Sequence, residues 1–165
     1  MSEKFHNYKF KIKEMNPNDC LQYHKIKVCV EKSQEEVYFF SENGDGNHSV
    51  YLQDRFFNFN VDSKTKNICS FEGELKTSDL KLVNLQMPKR IKDVVLSINS
   101  DENLQSGCGS YVRFKVKDIC YDQAKKILQI GEINQWENVY KFLKNAFAQV
   151  KNDQLKGLMF TEIEM

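Results

Sequence analysis

The chain has 165 residues, of which 41% are hydrophobic and 12% aromatic, enough apolar material for the core of one folded domain spanning residues 1–165. Its 24 Lys and Arg residues balance 23 Asp and Glu residues, which excludes a protein that binds polyanions by bulk charge and leaves only local charged patches. The polar start of the chain and the lack of any apolar run near about 18 residues favour neither secretion nor membrane insertion, so we expect a cytoplasmic protein.

Extended runs separated by short polar turns recur along the whole chain. The first run, residues 8–13, alternates Tyr8, Phe10 and Ile12 with three lysines, which is typical of a half-buried strand. Pairs of runs joined by turns predict four hairpins, and Pro88 separates two further runs. The hairpin runs are 25–30 with 36–40, 58–61 with 67–71, 111–121 with 126–131, and 147–150 with 155–163; the further runs are 79–85 and 93–98.

The turns have residues suited to tight backbone reversals. Residues 43–46 read Asn-Gly-Asp-Gly, and Asp62 and Asp122 can each accept a hydrogen bond from their own backbone two residues on. Together these elements predict about seven to ten strands and a mainly β fold, either an antiparallel β-sandwich or a curved meander sheet built from consecutive hairpins.

One segment, residues 136–150, breaks the β pattern. Its apolar residues recur at spacings of three and four, which predicts an amphipathic helix and would make the fold α+β. The same stretch can also be read as a strand that enters the turn at 151–154. The apolar residues are Val139, Phe142, Leu143, Ala146, Phe147 and Val150.

The sequence has no catalytic, cofactor or metal motif, so we expect a protein that is not an enzyme. Three histidines lie far apart, and His24 and His48 are predicted at the surface. Five cysteines without a CxxC pair argue against a disulfide framework and a zinc site, and Cys29, Cys69 and Cys120 fall in strands, where a thiol acts as a small hydrophobic group. Residues 107–110 read Gly-Cys-Gly-Ser, which lacks the lysine and the helix of a phosphate loop and predicts a bend.

The outward faces of three predicted strands are basic. If these strands are neighbours, they form a stripe that binds an acidic partner protein or a nucleic-acid backbone; if glutamates lie opposite, the face is an ordinary solvated one. The aromatic residues of the same strands point toward the core, which disfavours base stacking. The candidate binding residues are Lys9, Lys11, Lys13, Lys25, Lys27, Arg113, Lys115 and Lys117.

Residues 110–163 carry a further signal. The segments VKDICYD at 116–122 and KILQIG at 126–131, followed by YKF at 140–142, NAFA at 145–148 and LKGL at 155–158, resemble small bacterial immunity proteins of contact-dependent or polymorphic toxin systems. This resemblance implies a non-enzymatic, cytosolic inhibitor that binds one cognate toxin domain, and it implies a strand at 140–150.

The sequence therefore predicts an immunity-type protein-binding protein, monomeric or dimeric. The alternative is a nucleic-acid-binding module that uses the basic strand faces. A third class, a small hydrolase or lyase assembled from scattered residues, requires a deep polar pocket in which His24 or Cys108 has carboxylate neighbours.

Overall fold

The computed structural model describes residues 8–16, 24–41, 46–52, 57–100, 103–112, 114 and 118–165. Within these residues the chain forms fourteen strands and one short 3₁₀ turn, Thr77–Asp79, which exceeds the predicted strand number. The strands are β1 Lys9–Glu14, β2 Ile26–Glu31, β3 Glu36–Ser41, β4 His48–Leu52, β5 Phe57–Val61, β6 Ile68–Lys76, β7 Leu80–Leu82, β8 Arg90–Asn99, β9 Gly109–Val112, β10 Ile119–Asp122, β11 Ile127–Gly131, β12 Asn138–Leu143, β13 Ala146–Lys151 and β14 Gln154–Phe160.

The strands form two sheets that pack face to face. The eight-stranded sheet has the order β1-β8-β12-β13-β14-β11-β10-β7, and the six-stranded sheet has the order β2-β3-β6-β5-β4-β9. Most neighbouring strands are antiparallel, but β4 with β9, β7 with β10 and β8 with β12 are parallel. The predicted β-sandwich is confirmed, with mixed rather than purely antiparallel sheets.

The predicted hairpins are confirmed as β2–β3, β5–β6, β10–β11 and β13–β14. Asp62 Oδ1 accepts hydrogen bonds from the N–H groups of Lys64 (2.8 Å) and Thr65 (3.0 Å), and Asp122 Oδ1 accepts one from Lys125 N–H (3.0 Å). These carboxylates fix the turns as the sequence predicts. Of the predicted turn at 43–46, only Gly46 lies among the described residues.

The helix predicted at residues 136–150 is wrong, because this segment forms β12 and β13, joined by a turn at Lys144 and Asn145. Both faces of the eight-stranded sheet are buried here. Phe142 and Ala146 face the core between the sheets, whereas Val139 and Phe147 belong to a second apolar cluster on the outer face. Strands that bury both faces lose the period of two.

The single strand predicted at residues 111–121 is also wrong. Gly109–Val112 is a strand of the six-stranded sheet, whereas Ile119–Asp122 is a strand of the eight-stranded sheet. The chain therefore passes from one sheet to the other between these two strands. The runs predicted at 79–85 and 93–98 do contain strands, but β7 pairs with β10, and β8 pairs with β1 and β12.

Phenylalanine rings dominate the core between the sheets. Phe71 lies at its centre, with its ring centroid 5.6 Å from that of Phe57, 5.5 Å from that of Phe59 and 4.9 Å from that of Phe160. Full burial of one such ring contributes about 1.5–3 kcal/mol. The second cluster lies outside the eight-stranded sheet, where Leu85 and Ile133 pack over Ile127, Val139, Phe147 and Met159.

Within the described part of the chain, no helix has the length and apolar character needed to cross a membrane.

Candidate functional site

The predicted basic strands do not lie side by side. β1, with Lys9, Lys11 and Lys13, is an edge strand of the eight-stranded sheet, whereas β2, which contains Lys27 and follows Lys25, is an edge strand of the six-stranded sheet. Lys13 Nζ donates to Asn67 Oδ1 at 2.9 Å, and Lys25 Nζ lies 3.7 Å from Glu162 Oε2. Arg113, Lys115 and Lys117 lie outside the described residues. The described lysines therefore form two separate groups.

The bend predicted at residues 107–110 is present, with Gly107 at φ +77° and Gly109 at the start of β9. Beside it lies an open groove of about 580 Å³. Its described lining residues have no carboxylate and no imidazole: Gly46, Asn47, Ser49, Tyr51, Ser106, Gly107, Cys108, Gly109 and Tyr111. The described lining of this groove therefore lacks the carboxylate neighbours that a hydrolase or lyase at Cys108 would require.

Beneath the groove, His48 takes part in a buried hydrogen-bond cluster, so its predicted surface location is wrong. His48 Nε2 lies 2.8 Å from Ser110 Oγ and Nδ1 lies 2.9 Å from the Gln105 carbonyl, while Tyr8 donates to Ser110 Oγ at 3.1 Å. If Nδ1 carries the proton, all three contacts are satisfied. Ser110 alternates with Gly109 and Tyr111, which line the groove, and is opposite buried Val50. The Ser–His pair therefore faces the core.

The remaining predicted candidates are dispersed. Half-buried His24 places Nδ1 3.3 Å from the Cys69 carbonyl oxygen. Cys69 is buried, and burial raises the pKa of the Cys120 thiol, so both fit the expectation for thiols in strands. Cys29 does not, because it is exposed. Among the described residues, no group of three His, Cys, Asp or Glu side chains could hold a metal ion.

Among the described residues, two exposed apolar side chains lie at the β8–β12 pair of the eight-stranded sheet, and they are here called the tryptophan patch: Trp136, just before β12, and Ile91 of β8. Trp136 is 60% exposed and Ile91 is also exposed, whereas exposed Met87 lines a groove beside β2. Ile91 is opposite Val139 of the outer cluster, so it points to the same side of the sheet. Large apolar side chains exposed together are the informative exception on a protein surface.

A buried amide fixes the backbone just before Trp136. Gln149, which is almost fully buried, accepts a hydrogen bond from Asn134 N–H at 2.7 Å and donates one to the Asn134 carbonyl at 2.8 Å. Asn134 Oδ1 in turn accepts a hydrogen bond from Trp136 N–H at 3.0 Å. Lys89 Nζ lies 4.2 Å from the indole centroid, a cation–π contact. The backbone beside the indole is therefore fixed, which limits the entropy lost on binding.

The segment that contains Met87 is anchored by Asp122 at the β10–β11 turn. Asp122 Oδ2 accepts a hydrogen bond from Leu85 N–H at 2.8 Å, and Lys125 Nζ donates to the Leu85 carbonyl. Hydrogen bonds from the backbone of Leu85 and Lys125 lower the pKa of Asp122, because they favour its charged form. The Asp122 carboxylate thus forms the β10–β11 turn and also fixes Leu85, which packs over the outer cluster.

No protein-family model, curated protein or solved structure matches this chain.

Sequence reasoning missed the tryptophan patch. Trp136 is the only tryptophan, but it was the first residue of a predicted helix and had no partner in the sequence pattern. Residues 83–89 alternate Val83, Leu85 and Met87 with polar residues, as a strand does, but they form no strand, so the sequence does not reveal that they cross the sheet. A tryptophan between Gln135 and Glu137 was the available signal for an exposed position.

The lowered pKa of Asp122 predicts a pH-dependent effect of Asp122→Asn. A carboxylate with a depressed folded-state pKa contributes stability that is present above its unfolded pKa, about 4, and is lost as pH falls through the folded value. We therefore expect the variant to melt a few degrees below the unmodified protein at pH 7, and this difference to shrink below about pH 4. Melting curves at neutral and acidic pH measure it, and a difference that stays constant as the pH falls contradicts the assignment.

Proposed function

We propose that this chain is a non-enzymatic protein-binding protein and that the tryptophan patch is its binding surface. The single observation that supports this is a Trp136 side chain that is 60% exposed although its N–H donates to Asn134, whose own backbone is bonded to buried Gln149. Tryptophan is enriched at protein interfaces and is among the residues that contribute most to binding energy.

The charges around the indole indicate the chemistry of the partner. Lys89 lies over the ring, and Lys141 is on β12 beside the patch, where Asp93 is its cross-strand neighbour. The ion pair of Lys151 with Glu137 (3.2 Å) is neutral as a whole. A partner that fits has an apolar pocket for the indole and a carboxylate at the rim of that pocket for Lys89.

The sharpest version of this proposal is an immunity-type inhibitor that neutralises a cognate toxin domain in the cytoplasm. Its support is the resemblance of residues 110–163 to small bacterial immunity proteins, a range that includes Trp136. The described basic strands form two separate groups and give no continuous track for phosphates, which disfavours the nucleic-acid alternative.

Substitution of Trp136 should remove the partner. The tagged chain is used to capture proteins from a lysate of its own source, with nuclease present, and the captured partner is then titrated against purified variants. We expect Trp136→Ala to weaken binding by at least about 30-fold, the effect of losing about 2 kcal/mol at a dominant contact.

Tyr51→Ala is the matched control, because Tyr51 is a comparably large aromatic residue, 39% exposed, on a strand of the other sheet. Equal binding by the two variants, or loss of binding only in Tyr51→Ala, contradicts the proposed surface. Partners that disappear on nuclease treatment support the nucleic-acid alternative instead. For the immunity version, co-expression with the partner should restore growth with the unmodified chain and fail with Trp136→Ala.

A further inference from the structure

Strand β2 is an edge strand of the six-stranded sheet. Among the described residues, β2 pairs only with β3. Both backbone groups of Ile26 bond to the Asn145 side chain (Ile26 N–H to Oδ1 at 2.7 Å, Nδ2 to Ile26 O at 2.9 Å), so they point away from β3. Because this direction alternates along an antiparallel strand, the N–H and C=O groups of Val28 and Val30 also point outward from the edge.

The other edge strands are poorly suited to pairing. β1 carries three lysines on its outward face, so a second copy of β1 would bring like charges together. β7 has three residues and β9 has four, which limits the hydrogen bonds that each can form with a new strand. β2 has six residues and carries one lysine, one cysteine and one glutamate on its outward face.

The sequence of β2 is complementary to itself when read antiparallel. If Cys29 is opposite the Cys29 of a second copy, Lys27 is opposite Glu31 and Val28 is opposite Val30, twice each by symmetry. Opposite charges on directly opposed residues are favourable, and the two Val28–Val30 pairs are the positions whose backbone groups point outward. A two-fold axis through the Cys29 pair therefore gives both the opposite-charge pairs and the backbone hydrogen bonds in one register.

The surroundings of β2 define where this pairing ends. Asn145 occupies the edge at Ile26, so pairing covers residues 27–31 and no more. A groove of about 790 Å³ lies beside Lys25, Lys27 and Val28, and its lining includes both lysines and carboxylates: Lys125, Lys126, Glu162 and Glu164. In the register described, the β2–β3 turn of the second copy lies at the Lys25 end of this groove.

We infer that two copies of this chain form a symmetric dimer by antiparallel pairing of β2 with β2, centred on Cys29. The two six-stranded sheets then become one continuous sheet with both outer faces on the same side. The tryptophan patch lies on the other sheet, so this inference stands independently of the proposed function.

Charge exchange tests the register directly. Lys27→Glu places Glu opposite Glu31 twice, and Glu31→Lys places Lys opposite Lys27 twice, so each variant alone should raise the dimer dissociation constant roughly tenfold or more. An equimolar mixture of the two restores opposite charges at both pairs and should dimerise, as should the doubly exchanged chain. Analytical ultracentrifugation over a concentration series measures all four, and Lys9→Glu on β1 is the matched control with no expected effect.

The Cys29 pair provides a second readout. Diamide takes up the two electrons and two protons released when two thiols form one disulfide, and it should convert the Cys108→Ala chain into a covalent dimer on a non-reducing gel. Directly opposed residues without mutual hydrogen bonds lie about 4.5 Å apart between Cα atoms, within the range for a disulfide. Cys29→Ala should abolish this product. A monomer at every concentration, a mixture that fails to restore the dimer, or a crosslink that survives Cys29→Ala overturns the inference.

Discussion

Replacement of Phe71 by alanine should destabilise the protein by about 3–5 kcal/mol, the range for truncating a fully buried phenylalanine. The ring is completely buried and has the rings of Phe57, Phe59 and Phe160 as neighbours at centroid distances between 4.9 and 5.6 Å. Strands from both sheets surround it, so the cavity cannot close by moving one side chain. The variant therefore loses both transfer free energy and ring–ring contacts.

Urea denaturation followed by circular dichroism measures this loss, since the single tryptophan is too exposed to report reliably on core packing. Phe40→Ala is the matched control, because Phe40 lies on the same sheet but is 40% exposed, and its loss should stay below about 1 kcal/mol. Similar losses for the two variants contradict the assignment of Phe71 to the centre of the core.

Replacement of Asn145 by alanine should destabilise the protein by about 2–4 kcal/mol, because it leaves several buried backbone groups without partners. The Asn145 side chain accepts a hydrogen bond from Ile26 N–H and donates to the carbonyls of Ile26 (2.9 Å) and Thr161 (2.8 Å). One amide thus connects the β12–β13 turn, the first residue of β2 and the residue after β14, and it joins the two sheets at this corner.

Asn138→Ala separates this role from a general effect of removing an asparagine. Asn138 lies on β12 and is exposed, so its replacement should change the unfolding free energy by no more than about 0.5 kcal/mol. Equilibrium denaturation of both variants gives the comparison. An Asn145→Ala chain as stable as Asn138→Ala shows that the freed backbone groups find other partners.

The β class and most hairpins were predictable because their signals are local. Asp62 and Asp122 form their turns with backbone groups two or three residues away, so a short sequence contains the whole interaction. Each β2–β3, β5–β6 and β10–β11 hairpin also ends its turn with a residue at positive φ, Glu35, Lys66 and Lys126. The two sheets and their order depend on pairs such as β1 with β8, which no local pattern records.

The two errors of fold have one physical origin: apolar residues that are neighbours in the sequence are buried against different partners. β12 and β13 bury residues on both faces, so apolar spacing imitates a helix. In the run from Tyr111 to Tyr121, Val112, Phe114 and Ile119 are all buried, so the hydrophobic pattern continues although the chain changes sheets. Hydrophobic spacing reports which residues are buried and not which partner buries them.

The tryptophan patch and the β2 edge were unpredictable for a different reason. An exposed Trp136 becomes visible only once Gln149 and Lys89 are placed around it. The self-complementary pattern of Lys27, Cys29 and Glu31 was present in the sequence, but its meaning depends on β2 being an edge strand. The basic residues form one stripe only if their strands are neighbours, and the topology separates those that the structure describes.

The strand order also constrains how the chain folds during synthesis. β1 joins a sheet whose other strands all come from residue 80 onward, and β9 completes a sheet whose other strands end at Lys76. β1 can therefore pair only after the late strands of its sheet have been synthesised, and such non-local pairing is slow. We expect fragments cut between β6 and β7 to fail to fold separately and to recover structure only when both are mixed, because each piece retains an edge strand that belongs to the other's sheet.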